Sequence, residues 1–526
     1  MQEIAVGTGP LSPEDVVAVA RHGARVALTD GARAAIGAAR AVVEELARAE
    51  VPVYGVSTGF GALATRHVPP GQRTRLQRSL IRSHAAGSGP RVEDEVVRAL
   101  VLLRLSTLAT GRTGVRLETA EAYAALLNAG LVPVVHEHGS LGCSGDLAPL
   151  AHVALAVTGE GEVVDRGVVR PAAEALAEHG LTPVVLAEKE GLALINGTDG
   201  MLGMLLLALH DLRRLLDTAD LAAAMSVEGL LGTDRVFAAD LQALRPQPGQ
   251  AVSAAQLRRF LAGSPIVASH RFGDGVVQDA YSLRCAPQVH GGARDTLEHA
   301  ARVAGFELSA AIDNPSVLPD GRVESHGNFH GAPLAYVLDF LAIPVADVAS
   351  MSERRTDRFL DVHRNRGLPA FLADDPGVDS GHMIAQYTQA AVVAELKRLA
   401  VPASVDSIPS SALQEDHVSL GWSAARKLRL AVAGLERVLA IELLTAARGV
   451  DLRAPLVPAP ATGAAIAVLR RRVQGPGPDR FLAPEIEAAT DLVRSGELLA
   501  AALSASAAGG PDLPTAPSAH RAGESS

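Results

Sequence analysis

The chain has 526 residues, 48% of them apolar and 20% charged, with 58 acidic against 48 basic side chains and a net charge of −10 with histidine neutral. This composition excludes a disordered polymer, and the acidic balance argues against a nucleic-acid partner. Two cysteines, Cys143 and Cys285, are too few for a disulfide scaffold and suit a reducing setting. No apolar run approaches the roughly 18 residues of a membrane span; the longest, Met201–Leu209, stops at His210-Asp211. The N-terminal MQEIAVGTGP has no basic region followed by an apolar stretch, so no signal peptide is expected and the expected location is the cytoplasm.

In chain order, Ser12–Arg25 predicts a helix with Ser12 as N-cap and Pro13 at the first helical position. Ala-rich Gly31–Ala49 predicts another. Val51–Gly61 (VPVYGVSTGFG) is too interrupted by Pro and Gly for regular helix. Glu93–Thr110 and Leu117–Leu127 read as helices, and Leu131–Asp146 as a Gly-punctuated loop. Gly161–Arg170 resembles a hairpin. Beyond it, Leu202–Leu231, Asp339–Arg358, Ser380–Leu399 and Ala424–Ala447 repeat apolar residues at helical spacing. Long helices of this kind pack as a bundle. The expected fold is mainly α: a long central bundle, about residues 201–505, with a smaller Gly-rich mixed region, about 1–200. No linker divides 1–505, so one catalytic unit is expected. Residues 506–526, rich in Ala, Gly, Pro and Ser, are expected to be a disordered tail.

The most informative segment is Gly139–His152, GSLGCSGDLAPLAH. A plain reading is a tight turn followed by a helix that Asp146 caps. A dinucleotide loop competes, but its spacing is G-x-x-G-x-x-G, Pro133 interrupts the candidate strand, and no βαβ rhythm follows. A hydrolase elbow needs G-x-S-x-G, which Gly142–Asp146 does not supply.

The segment resembles the histidine ammonia-lyase branch of the aromatic amino acid ammonia-lyase family. Further blocks of that family recur in order: YGVSTGFG (Tyr54–Gly61), LQRSLIRSHAAG (Leu76–Gly87), KEGLALINGT (Lys189–Thr198), RPQPGQ (Arg245–Gln250), VQDAYSLRCAPQVHG (Val277–Gly291), DNP (Asp313–Pro315), GNFHG (Gly327–Gly331), SERR (Ser352–Arg355) and QEDHVSLG (Gln414–Gly421). Chance agreement at nine ordered blocks is not credible.

The resemblance implies that Cys143-Ser144-Gly145 cyclises into a 4-methylidene-imidazol-5-one (MIO) group. The residue types suit that chemistry. Gly145, without a Cβ, lets its amide nitrogen approach the Cys143 carbonyl, and Ser144 loses its hydroxyl to leave a methylidene. Cys143, commonly Ala in the family, contributes backbone only; the alternative reading, a nucleophilic thiol, yields to that of a small buried residue. The reaction needs an electrophile because no ordinary side chain is one. By resemblance Tyr54 is the base for the β-proton and Tyr281 a second catalytic tyrosine. Arg284 binds the substrate carboxylate, as a bidentate guanidinium can. The resemblance further implies that His84, Asn196, Gln278 and Met383 line the substrate site and that Asp146, Asn314 and Phe329 support the MIO loop.

The resemblance also orders the substrates. Ser83-His84 is typical of histidine lyases, although some aminomutases share it. Glu415, by resemblance a further catalytic residue, discriminates more sharply: phenylalanine and tyrosine enzymes commonly have Gln there, whereas a carboxylate can accept an imidazole N–H and move protons. Against this stands an ordinary acid at a helix N-terminus. His136-x-His138 and His326-x-x-x-His330 have ligand-like spacing, but no Cys cluster joins them and no metal or external cofactor is expected. Gln247, His326, His382 and Leu396 depart from the commoner family residues. The expected activity is non-oxidative elimination of ammonia from L-histidine to trans-urocanate, the first step of histidine degradation, by a homotetramer. A tyrosine or phenylalanine ammonia-lyase or 2,3-aminomutase is the alternative, and an inactive helical scaffold the alternative of another class.

Overall fold

The computed structural model describes residues 3–48, 58, 68–272 and 276–507. Tyr54 with nearly all of its loop, and residues 508–526 of the expected tail, lie outside them. The chain forms two compact units: one of residues 1–211, 297–343 and 399–430, the other of 212–296, 344–398 and 431–526. Both are dominated by helix, as the periodicity predicts.

Every strand among the described residues lies in the first unit. Glu3–Val6 pairs in parallel with Arg25–Leu28, burying Ile4, Val6, Val26 and Leu28 on one face. Between them runs helix Pro13–His22. Ser12 Oγ accepts from Asp15 N (3.1 Å) and Asp15 Oδ2 from Ser12 N (3.0 Å), closing a reciprocal cap. Gly23 (φ 67°) ends the helix in the left-handed conformation. The hairpin is Glu162–Asp165 against Val168–Pro171. Arg166 and Gly167 both take positive φ at its turn, the geometry that joins two twisted strands with two residues.

The segment read as a loop from Leu131 to Asp146 is a correction. It contains two short strands, Val132–Pro133 and His136–His138, paired with Val163–Val164 and with Ser88–Arg91. Strands of two or three residues leave too little alternation to be seen in a sequence.

Helices Asp30–Arg48, Asp94–Ala109 and Leu117–Asn128 match their expected spans within a few residues. Asp94–Ala109 is buried on every side from Ala99 onward, forming the centre of this unit. The four long helices of the expected bundle are Asp199–Gly229, Ala332–Leu360, Met383–Leu399 and Gly421–Asp451. Ala332–Leu360 is the one helix among the described residues long and apolar enough to cross a membrane. Its most apolar window is 61% buried, as a core helix's would be, and it carries Asp339, paired with Lys427 Nζ at 2.7 Å.

Candidate active site

The Gly139–Asp146 loop is clamped by three other segments of the first unit. Gly142 O accepts from Gly331 N (3.0 Å) and Ser419 Oγ (2.8 Å), and Leu141 O from Leu420 N (2.9 Å). Asp146 N donates to Gly197 O (2.7 Å), and Asn196 Nδ2 to Ser144 O (2.9 Å). Three blocks distant in sequence, LINGT, GNFHG and HVSLG, thus meet around one turn. Phe329 lies half-buried in the segment that Gly331 ties to the loop.

Gly145 sits at φ +76°, and a Cβ there would lie 2.1 Å from Gly197 O. Only glycine fits. Gly197 is itself backed by Asp199 and Arg104, whose side chains an added Cβ would meet at 2.4 and 2.6 Å. Fully buried Arg104 donates to Asn196 O (2.9 Å) and Ile312 O (2.7 Å). It fixes the Asn196 segment to the one leading into Asn314, whose Oδ1 accepts from His326 N (2.9 Å).

Asp146 corrects the expectation of a self-capping residue. It precedes helix Leu147–Val157 but makes no side-chain cap there. Its Oδ2 instead accepts from Gly200 N (2.9 Å) and Met201 N (3.0 Å), the first turn of helix Asp199–Gly229, and its Oδ1 from Ser140 Oγ (2.9 Å). The carboxylate caps a helix fifty residues away in sequence. Burial pushes its pKa up to about 7, opposed by these donors.

Glu415 reaches the loop from the far end of the unit's sequence. Its Oε1 lies 3.1 Å from Ser144 Oγ, and its Oε2 3.1 Å from Cys143 Sγ and 3.2 Å from Ser410 Oγ. Burial, then the hydrogen bond to Glu415 and its charge, pushes the Cys143 thiol up to about 12, so it is a protonated donor and no nucleophile. His84 ends helix Arg73–His84. Its Nδ1 contacts Leu80 O at 2.9 Å; a carbonyl can only accept, so Nδ1 carries the proton and Nε2 is an acceptor. Burial lowers the pKa of His84, against the bond to Leu80 and the attraction of Glu415. The structure therefore brings Cys143, Ser144, Gly145, Asp146, Asn196 and Glu415 together, with His84 near enough to feel the Glu415 charge. Ser140, Ser410, Ser419 and Arg104 join them without having been singled out. Ser140 and Ser419 lay inside quoted motifs; Ser410 and Arg104 had no local signal.

The second unit carries Gln278, Tyr281, Arg284 and Met383. Tyr281–Arg284 is a single helical turn, with the guanidinium 4.7 Å from the centre of the Tyr281 ring. Tyr281 is 70% exposed. Arg284 Nε is buried without a hydrogen-bond partner among the described residues. Arg355 Nη1 holds the turn by donating to Ser282 O (3.2 Å), while its other nitrogens fork Glu442 at 2.5 and 2.8 Å. Gln278 is exposed and Met383, at a helix start, half-buried. His382 is buried against Thr445 Oγ1 (3.1 Å); burial, then nearby arginines, lowers its pKa to about 3, so it is a neutral packing residue.

The residues of the loop fit an MIO group. Position 145 tolerates no Cβ, Ser144 presents its hydroxyl to a carboxylate, and Asn196 Oδ1 is a buried acceptor without a partner among the described residues. A mainly helical unit that clamps a serine between glycines under a carboxylate has the layout of an aromatic amino acid lyase. The profile of that family, aromatic amino acid lyase, matches residues 11–471, and the chain belongs to it: it is a carbon–nitrogen lyase. It is 65% identical to a histidine ammonia-lyase of Streptomyces griseus over 505 residues, 95% of this chain and 98% of that one. Among solved structures, a tyrosine aminomutase of Streptomyces globisporus has a TM-score of 0.91 at 37% identity, covering 96% of this chain and 99% of the other. A histidine ammonia-lyase of Trypanosoma cruzi has a TM-score of 0.88 at 38% identity, covering 99% and 100%.

Proposed function

We propose that the chain eliminates ammonia from L-histidine to give trans-urocanate, the first step of histidine degradation, with an MIO group closed from Cys143, Ser144 and Gly145. The observation that carries the substrate is the Glu415 carboxylate on Ser144 Oγ, with His84 alongside. An imidazole N–H finds an acceptor there. A phenyl ring would offer Oε1 no donor, leaving one oxygen of the carboxylate unsatisfied at a cost of about 1–3 kcal/mol. When formed, the MIO group supplies an electrophilic methylidene carbon.

The chain's residues supply the rest. Asn196 holds the Ser144 carbonyl, and its amide oxygen, without a partner among the described residues, is an acceptor for a substrate N–H. His84, with Nδ1 on Leu80 O, offers Nε2 as an acceptor to the substrate's amino group. Arg284, whose Nε has no hydrogen-bond partner among the described residues, takes the substrate carboxylate. Tyr54 removes the β-proton, Tyr281 assists, and Gln278 and Met383 border the substrate. Asn314 and Phe329 support the loop from the segments tied to it. A homotetramer is part of this reading. Tyr336, Phe340 and Ile343, spaced along one helix face, are 59%, 48% and 47% exposed, an apolar stripe suited to a subunit contact. The proposed location is the cytoplasm, in keeping with two free thiols.

The likeness to the tyrosine aminomutase favours a second reading, action on tyrosine. Purified protein given L-histidine, L-tyrosine or L-phenylalanine separates the two: conjugated urocanate absorbs in the ultraviolet, and only the histidine reading predicts it. Ser144→Ala should abolish turnover, and the peptide spanning 143–145 should lack two waters in the wild type alone. Substantial turnover by Ser144→Ala refutes the MIO reading.

A further inference from the structure

Glu415 has two oxygens in unlike surroundings. Oε1 faces the Ser144 hydroxyl, while Oε2 receives both Cys143 Sγ (3.1 Å) and Ser410 Oγ (3.2 Å). The Ser410 contact is built into the local backbone. Ser410 N donates to Glu415 O (2.8 Å) and Glu415 N to Ser410 O (3.3 Å), so the two residues face each other across a tight loop. Closing an MIO ring bonds Gly145 N to the Cys143 carbonyl carbon and expels two waters, one carrying the carbonyl oxygen and one the Ser144 hydroxyl. Oε1 would then lose its donor, while ring closure consumes neither the Cys143 thiol nor the Ser410 hydroxyl, the two donors to Oε2.

We propose that Cys143, together with Ser410, is a positioning residue for Glu415: the two donors anchor Oε2, which leaves Oε1 turned to the substrate's imidazole. The inference rests on the histidine reading above. It gives the Cys143 side chain a task that its part in the ring, which is backbone only, does not require. Alanine at 143 would supply the same ring atoms and donate nothing; serine would donate as the thiol does.

The test is a double-mutant cycle of Cys143→Ala with Glu415→Gln, with Cys143→Ser and Ser410→Ala as companions. Mass spectrometry first checks that each variant still loses two waters. Cys143→Ala is expected to lower kcat/KM for L-histidine about 3- to 10-fold, the size of one weak donor lost from a charged acceptor. Affinity for imidazole propionate, which has no amino group to eliminate, should fall by a similar factor. Cys143→Ser should restore both to within about 2-fold. In the Glu415→Gln background Cys143→Ala should change neither. An unaffected kcat/KM, or an equal loss in both backgrounds, overturns the positioning role. Should Cys143→Ala fail to fold or to lose its waters, Ser410→Ala decides by the same cycle. Wild-type protein that makes no urocanate refutes the histidine reading itself; normal wild-type turnover with an unaffected Cys143→Ala refutes only this inference.

Discussion

Gly145→Ala tests the link between backbone geometry and electrophile most directly. The added methyl carbon would stand 2.1 Å from Gly197 O, 2.4 Å from its carbonyl carbon and 2.7 Å from its nitrogen. Ordinary contact between such atoms begins near about 3.5 Å, so one of the two strands of backbone must move by about 1 Å or more. Gly197 cannot easily retreat, because Asp199 and Arg104 stand behind it. Movement also breaks the bond from Asp146 N to Gly197 O (2.7 Å) and strands a buried donor, worth about 1–3 kcal/mol. An L-residue at φ +76° adds about 1–2 kcal/mol, and overpacking about 1–3 kcal/mol. The expected destabilisation is therefore about 3–8 kcal/mol. Urea denaturation followed by circular dichroism measures it, and mass spectrometry of the 143–145 peptide reports whether two waters have left. A Gly145→Ala protein with wild-type stability and both waters lost would refute the reasoning.

Glu415→Gln should keep the waters lost on ring closure yet lower histidine turnover by about 10²- to 10⁴-fold, the usual range for removing an acid–base group; retention of full activity in the urocanate assay would remove the substrate argument. Asp146 gives a pH test with a definite sign. Its folded pKa, about 7, lies above the ordinary 3.8, so the folded state binds the extra proton. Its contribution is most favourable below about pH 4 and is lost as pH rises towards about 7. Relative to Asp146→Asn, the wild type should lose stability across that window, and a flat difference in melting temperature would contradict the assignment. Arg104→Met strips the buried cation from Asp199 and from the carbonyls of Asn196 and Ile312, which should cost about 3–5 kcal/mol by urea denaturation and lower turnover with it. A loss under 1 kcal/mol would mean that the segments hold their places without it.

The sequence by itself carried what is local. The long apolar helices showed because 3.6-residue periodicity accumulates over several turns, whereas Arg73–His84, Pro248–Leu261 and Ala286–Leu308 were not evident. Ser12 with Pro13 announced a helix start, and Gly161–Arg170 a hairpin, because those signals lie within a few residues. The ordered motifs indicated the family and most of the candidate site. They were silent on which atoms meet. Asp146 reads locally as the cap of its own helix and in space caps another, since a buried carboxylate goes to whichever orphan amides the packing brings to it. The two- and three-residue strands were invisible because only a distant partner makes them strands. Arg104, inside an apolar helix, gave no hint of binding two carbonyls from remote segments. The tertiary structure alone decided that Glu415 stands over Cys143 and Ser144, about 270 positions away, with Ser410 as its second support. Hydrogen bonds act over about 3 Å, and only folding turns such a separation in sequence into that distance in space.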